Sequence, residues 1–373
     1  MTIINWTQLI LLKNKRLLFK LVFLSSFLAL FIACSSKAEK QQADKEPIAT
    51  NKEVVSFVYH RFGDSRYPST NISLADFEAH LNYLKENGYQ VLTFSDAIDY
   101  LHSSKEAKKT AVITIDDGYQ SFYENGLPLL LKYDFPATLF INTESIGGAD
   151  YMDWKSIKSS ENNGIEIGNH THSHAYFLNM SSEERYKEFE NEISKTQQLI
   201  EKNTGKAPET FAYPYGELDE KMVQIVSDAG FKAAAAQNSG VIYSGTDLMQ
   251  CPRFPMSESY AALDKFVSKA KMKALPVINR NPSSFLLTDE VLQPKLTLKV
   301  DSFPISLQQM QCFIQGTECH LETKNLPDGT VEITMSPQSA INQRRRTLYT
   351  LTVPDKDGKW YWFSQLWINP SIH

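Results

Sequence analysis

The sequence predicts an α/β fold, a barrel-like set of parallel β/α units, followed by a small all-β module. Three observations carry this. From Val54 to Ala236, short apolar runs of strand type alternate with helical stretches across short loops, giving six or seven β/α units. Beyond Asn279 the helical periodicity stops, and short alternating runs suited to a β-sandwich take over. Hydrophobic content of 42% and charged content of 22% are those of a globular chain, and 373 residues suffice for one large domain and one small one. A net charge of −5 gives no reason to expect nucleic acid as a partner.

The elements follow in order. Lys13, Lys15, Arg16 and Lys20 precede an apolar run from Leu21 to Ala33. A basic region, a short apolar region and a small residue before the cut describe a secretory signal. The run falls short of the about 20 residues that a membrane span needs, and an uncleaved anchor is the alternative reading. Because Cys34 follows Ala33, the segment resembles a bacterial lipoprotein signal, although Phe31 stands where such signals usually carry Leu. The resemblance implies that Cys34 is lipidated, that residues 1–33 are removed, and that the protein is anchored to a lipid bilayer in the cell envelope, with its bulk extracytoplasmic. Residues 34–52, rich in Lys, Glu, Gln, Ala and Ser, read as a flexible tether.

Val54–Tyr59 reads as a strand running into a loop at His60. Ser73 opens a helix that Asn87-Gly88 stops, and Ser95 is the expected cap of the next. Ala111–Ile115 is a fully apolar strand that ends in Asp116-Asp117-Gly118. Tyr123–Tyr133 reads as helix, Ala137–Asn142 as strand, Trp154–Asn163 as helix and Ile165–Ile167 as strand. The longest helix runs from Ser181, with Ser181 and Glu184 as a capping box, to Asn203. Phe211–Gly216 is a strand running into a turn, Asp219–Ala229 a helix and Phe231–Ala236 a strand. Asn279–Pro282 reads as a linker between a catalytic domain at 53–278 and the module at 279–373. In that module Cys312 and Cys319 bracket a hairpin in which an oxidising compartment permits a disulfide, and Cys251 is left as a buried thiol. Trp154 and Tyr213 read as core. Trp360, Trp362 and Trp367 read better as a core strand than as an exposed aromatic face.

Two clusters carry chemistry. Asp116 and Asp117 lie at the end of an apolar strand, where a parallel sheet opens its cleft. Neighbours on a strand point to opposite faces, but a turn at Gly118 can bring both into one cleft. Two carboxylates so close need a compensating cation, and a metal on one leaves the other as a base. Asp-Asp-Gly alone is more often a helix cap beside a surface charge. The histidines tip the balance: of eight in the chain, three fall in His170-Thr171-His172-Ser173-His174. A helical turn would put His170 and His174 on one side, and Asp plus two His leaves metal positions open, as in catalytic sites. The same ligand set serves non-haem iron oxygenases, but the α/β pattern favours a zinc-type hydrolase.

Thr114-Ile115-Asp116-Asp117-Gly118-Tyr119, Gly168-Asn169-His170-Thr171-His172-Ser173-His174 and Phe211-Ala212-Tyr213-Pro214-Tyr215-Gly216, in that order, resemble the first three motifs of the polysaccharide deacetylases, carbohydrate esterase family four. The likeness covers Val54 to Lys271. It implies a distorted (β/α) barrel, usually of seven strands. It implies that Asp117, His170 and His174 hold a divalent metal, zinc above all, that Asp116 is the catalytic base, and that the backbone N–H of Tyr215 holds the oxyanion. Two departures stand out. Ala212 occupies the place of an arginine that supports the base, and no histidine of the usual fourth motif follows His174 in this domain. Val58-Tyr59-His60-Arg61-Phe62 is similar to the branch containing the poly-N-acetylglucosamine deacetylases, in which a Tyr-His after the first strand supplies the acid. His60 then takes that role, and Arg253 is the candidate to replace the arginine, with a surface or core-capping role as the alternative. The implied reaction is removal of N-acetyl groups from a hexosamine polysaccharide. The rivals are an O-acetyl esterase on xylan or another acetylated glycan, and a catalytically silent glycan-binding lipoprotein.

Overall fold

The computed structural model describes residues 52–372 other than 289 and 302, and these belong to one compact unit. The expected signal segment, Cys34 and the tether up to residue 51 lie outside the described residues. Among those described, no helix is long and apolar enough to cross a membrane.

Nine strands form the principal sheet: β1 (Glu53–Tyr59), β2 (Gln90–Leu92), β3 (Thr110–Asp117), β4 (Ala137–Ile141), β5 (Ile165–Asn169), β6 (Thr210–Ala212), β7 (Ala233–Ala235), β8 (Val241–Tyr243) and β9 (Phe254–Pro255). Their order is β8-β1-β3-β4-β5-β6-β7, with β9 also beside β1 and β2 beside β3. Every pairing is parallel except that of β8 with β1. β3 is buried at all eight positions, as a near-continuous apolar strand covered on both faces should be. The sheet curls into the distorted barrel expected. Cys251 bridges Ala235 of β7, and Phe254 of β9 lies opposite Phe57 of β1, so residues 251–255 join the last parallel strand to the first.

Helices α1 (Leu74–Glu86), α2 (Phe94–His102), α3 (Leu127–Tyr133), α4 (Trp154–Asn162), α5 (Ser182–Thr204), α6 (Glu220–Asp228) and α7 (Leu263–Ala270) cover the sheet. Ser73, Asp153, Ser181 and Asp219 accept the capping N–H bonds their positions suggest. Thr93, not Ser95, caps α2, its hydroxyl accepting from the Asp96 N–H. Both residues are chemically fit to cap, and the strand ending at Leu92 leaves only Thr93 extended. The stretch before α3 is a π-helical turn, Phe122–Gly126, and α3 itself starts only at Leu127, with Pro128 in its first turn.

The all-β part contains β10 (Lys273–Ala274), β11 (Val277–Asn281), β12 (Leu296–Val300), β13 (Gln311–Ile314), β14 (Cys319–Asn325), β15 (Val331–Pro337), β16 (Arg346–Pro354) and β17 (Trp360–Ile368). They make two four-stranded sheets, β10-β17-β16-β13 and β11-β12-β15-β14. Leu296, Leu298 and Val300 from one sheet and Tyr349, Leu351 and Val353 from the other fill a shared core. Cys312 and Cys319 are joined by a disulfide, and Cys251 is a free buried thiol.

Two expectations are corrected here. Asn279–Pro282 is not a linker: Asn279 to Asn281 end β11, which pairs with β12. Of the polar residues that suggested a turn, Asn279 and Asn281 are exposed and Arg280 half-buried on this edge strand. The three tryptophans do not act together. Trp367 is buried in the β-module, whereas Trp362, of opposite parity along β17, packs against Phe254 of the barrel with ring centroids 5.3 Å apart.

Candidate active site

β1, β3, β5 and β6 deliver the site from their C-terminal ends, where parallel sheets place their ligands. β3 supplies Asp116 and Asp117. Ordinary strand geometry would send them to opposite faces, but Asp117 has φ +75° and Gly118 φ +77°, and this double left-handed step turns the chain. A side chain at Gly118 would also crowd Ile141, whose Cγ2 lies 3.1 Å from where a Cβ would stand.

The histidine loop follows β5. It is not the helical turn expected: His170 to His174 carry no helix, and Thr171 (φ +64°) and His174 (φ +56°) are left-handed. The loop achieves the convergence by other means. Nε2 of His170 and Nε2 of His174 are 3.1 Å apart, and Oδ1 of Asp117 lies 3.5 Å from the first and 3.4 Å from the second. Among the described residues these three form the one His, Cys, Asp or Glu cluster spaced to hold a metal ion.

The donors fit a metal on three counts. Oδ1 of Asp117 is buried without a hydrogen-bond partner, a costly state that a cation would relieve. His170 Nδ1 donates to the Ala212 carbonyl at 2.7 Å, which turns its Nε2 toward the cluster. Tetrahedral coordination with bonds of ~2.0–2.1 Å needs ligand atoms about 3.3 Å apart, close to the three distances found. Burial raises the Asp117 carboxyl, and the imidazoles of His170, His60 and His174 outweigh it, so the group stays far below the usual carboxylate range. Burial and the neighbouring His170 charge bring His174 down to about 4.

Asp116 faces a different partner. It is fully buried and forms a two-point ion pair with Arg253, also fully buried: Nη1 to Oδ1 at 2.7 Å and Nη2 to Oδ2 at 2.9 Å. Nη1 also donates to the Thr114 hydroxyl at 3.0 Å and Nε to the Ala236 carbonyl at 3.0 Å, so the guanidinium is locked. Burial raises the Asp116 carboxyl, but the charges of Arg253 and His170 keep it ionised below its ordinary range. Arg253 reaches this point because residues 251–255 close the sheet beside β1.

His60 follows β1 directly, half-buried, and its charge contributes to the lowering of both Asp116 and Asp117. Tyr215 sits in a left-handed turn at φ +58°. Its ring lies edge-on to His174 at 4.3 Å and flat on Tyr176 at 3.7 Å. Among the described residues, Asp117, Thr171, His174 and Tyr215 are four of the six non-glycine residues with positive φ. Each such conformation costs roughly 1–3 kcal/mol and persists only where the surrounding structure over-determines it.

The sequence reading missed Glu192. Buried on α5, it accepts the N–H groups of His172 (2.9 Å) and Ser173 (2.7 Å) and so braces the loop between the two convergent histidines. His172 itself turns away, with Nδ1 2.8 Å from the Thr143 hydroxyl. A signal for Glu192 existed. It lies in the core-facing stripe of Phe189, Ile193, Thr196 and Ile200, where a carboxylate is out of place unless it is bonded. Tyr213 and Trp154 are packing residues, the Tyr213 hydroxyl donating to the Met249 carbonyl at 3.0 Å.

Residues 103–234 match the sequence pattern of the family described as polysaccharide deacetylase. A Bacillus subtilis (strain 168) protein named for polysaccharide deacetylase activity, YxkH, is 26% identical over 252 residues, covering 61% of this chain and 88% of that one. The poly-beta-1,6-N-acetyl-D-glucosamine N-deacetylase of Staphylococcus aureus (strain MSSA476) is 26% identical over 216 residues, covering 54% of this chain and 73% of its own. Among solved structures, the Streptococcus pyogenes deacetylase PplD in complex with acetate aligns with a TM-score of 0.54 at 21% identity, over 58% of this chain and 98% of that one. IcaB from Ammonifex degensii aligns with a TM-score of 0.52 at 24% identity, over 59% and 97%. These two share the fold.

Proposed function

The chain carries a domain of the polysaccharide deacetylase family, and on that premise we propose that it is a metal-dependent hydrolase removing N-acetyl groups from a hexosamine-containing polysaccharide outside the cytoplasm. The observation that carries this reading is the orphaned Oδ1 of Asp117 facing two imidazole nitrogens, beside a second aspartate held by its own arginine. One carboxylate is thereby offered to a cation and the other reserved.

Asp117, His170 and His174 would hold a divalent ion, zinc in this reading, given one carboxylate and two imidazole donors. That ion would act as a Lewis acid toward the acetyl carbonyl and lower the pKa of water. Asp116, ionised and fixed by Arg253, accepts a proton from the attacking water. The backbone N–H of Tyr215 donates to the oxygen that gains charge in the transition state. His60, protonated, gives its proton to the departing nitrogen, leaving acetate and a free amine on the glycan. The relatives named for poly-N-acetylglucosamine support the choice of N-acetyl over O-acetyl groups. A lipid anchor at Cys34 would place the enzyme at the envelope, where such polymers are found.

The test is Asp116→Asn, assayed for acetate release from N-acetylglucosamine oligomers alongside metal content. Loss of acetate release with metal retained is expected; a fully active variant removes Asp116 from the chemistry.

A further inference from the structure

The turn that carries Tyr215 is not held by the barrel alone. Arg346, the first residue of β16, donates through Nη1 to the Tyr215 carbonyl at 2.7 Å. Its neighbour Arg345 pairs at two points with Glu217, Nε to Oε1 at 2.6 Å and Nη2 to Oε2 at 2.7 Å, and Glu217 is buried. The Arg345 guanidinium lies 4.6 Å from the centre of the Tyr176 ring, the ring stacked on Tyr215. Arg345 is fixed from behind by the Ile372 carbonyl at 2.7 Å.

We propose that Arg345 and Arg346 are positioning residues for the deacetylation reaction, so that the β-module is a working part of the active site and not an appendage. The inference rests on the deacetylase reading above. A non-glycine residue at φ +58° stays there only where its surroundings over-determine it. Within the barrel, Gly216 helps: at φ +68°, with Gln237 2.4 Å from where a Cβ would be, it admits no side chain. The turn's own bonds, from the Gly216 N–H to the Tyr213 carbonyl and from the Glu217 N–H to the Pro214 carbonyl, add to this, and the module supplies further constraints. Arg346 fixes the Tyr215 carbonyl and so the Tyr215–Gly216 peptide plane, which adjoins at the Tyr215 Cα the plane that carries the Tyr215 N–H. Arg345 fixes Glu217 two residues on, and clamps Tyr176 over the Tyr215 ring. The middle and the C-terminal side of the turn are thus tied to the start of β16 and the residue before it. A donor displaced by about 1 Å can cost 10²-fold in rate, so the contacts bear on turnover more than on substrate binding.

The experiment compares wild type, R346A, R346K, R344A and the double variant R345A/E217Q, which removes the buried pair without orphaning the carboxylate. Readouts are kcat and KM for acetate release, bound metal, and amide hydrogen exchange across Tyr213–Glu217. R346A is expected to lower kcat about 10–100-fold with KM and metal content within about twofold, and to speed exchange in the turn about tenfold. R346K should recover most of kcat, because it restores a donor to the Tyr215 carbonyl, and R344A, exposed and outside the network, should match wild type. A purely structural role would lower the melting temperature and leave kcat per folded molecule unchanged. Wild-type kcat in both folded R346A and folded R345A/E217Q overturns the inference alone. A wild-type protein that binds metal but releases no acetate from any acetylated glycan overturns the deacetylase reading, and this inference with it.

Discussion

Arg253 and Asp116 are bonded at two points with both side chains shut off from solvent, at a separation of 137 residues in sequence. An unpaired charge left at such a place is far more costly than the pair is favourable. Arg253→Met should therefore destabilise the fold by about 3–5 kcal/mol, read from denaturant unfolding, with Arg253→Lys intermediate because it keeps the charge and loses the fork. A loss below about 1 kcal/mol for the Met variant would mean that Asp116 finds another partner.

His60 separates the two acetyl chemistries. A departing amine needs a proton, and a departing alkoxide needs it less. His60→Ala should lower hydrolysis of N-acetyl substrates by about 10²–10⁴-fold and of O-acetyl substrates by much less. Equal losses on both would remove His60 as the acid, and turnover confined to acetylated xylan would favour the esterase reading.

Metal removal has a thermodynamic signature apart from turnover. A ligand held at 100 times its Kd stabilises by about 2.7 kcal/mol, so chelation should lower the unfolding temperature and zinc should restore it. Asp117→Asn should abolish that response, since the orphaned Oδ1 is the anionic donor of the cluster. An unchanged melting temperature on chelation and readdition would count against the site.

A fourth expectation concerns the core. His80 Nε2 donates to the Ala261 carbonyl at 2.7 Å, Nδ1 accepts from the Tyr59 hydroxyl at 3.1 Å, and the ring stacks on Phe266 at 3.9 Å. Burial lowers its pKa from the ordinary 6.5 to about 4, against the opposing Ala261 carbonyl and Asp76 charge. The unfolded chain thus binds a proton that the native protein refuses between those values. Stability present above pH 6.5 is lost as pH falls toward 4, by about 3 kcal/mol from this residue. His80→Gln, which can donate and accept in the same places, should flatten the stability profile in that window.

The sequence made the centre of the site legible and left its supports obscure. Asp116, Asp117, His170 and His174 stand out because each pair is local and because a carboxylate pair ending an apolar strand is conspicuous. The path of the His170–His174 loop was not legible. Its left-handed residues include Thr171, a β-branched type that disfavours that region, so propensity points the wrong way. Arg253 was legible as a candidate for the guanidinium that Ala212 lacks, but nothing in its own surroundings ties it to Asp116, 137 residues away. The pairing of Arg345 with Glu217 crosses 128 residues and leaves no periodic trace. Element types read well where the apolar period was clear. They failed at β11, whose polar edge positions imitate a turn.

The closure of the sheet by residues 251–255 has a consequence for biosynthesis. The ribosome delivers Asp116 long before Arg253, and Tyr215 long before Arg346. A growing chain that has emerged only as far as residue 234, the end of the family-matched segment, would possess the ligand cluster but lack the counter-ion for Asp116 and the strand that joins β7 to β1. Closure between β7 and β1 therefore follows the arrival of residues 251–255. Before then Asp116 has no buried partner and is best satisfied by water, so the native burial of this carboxylate is a late event in the chain's maturation.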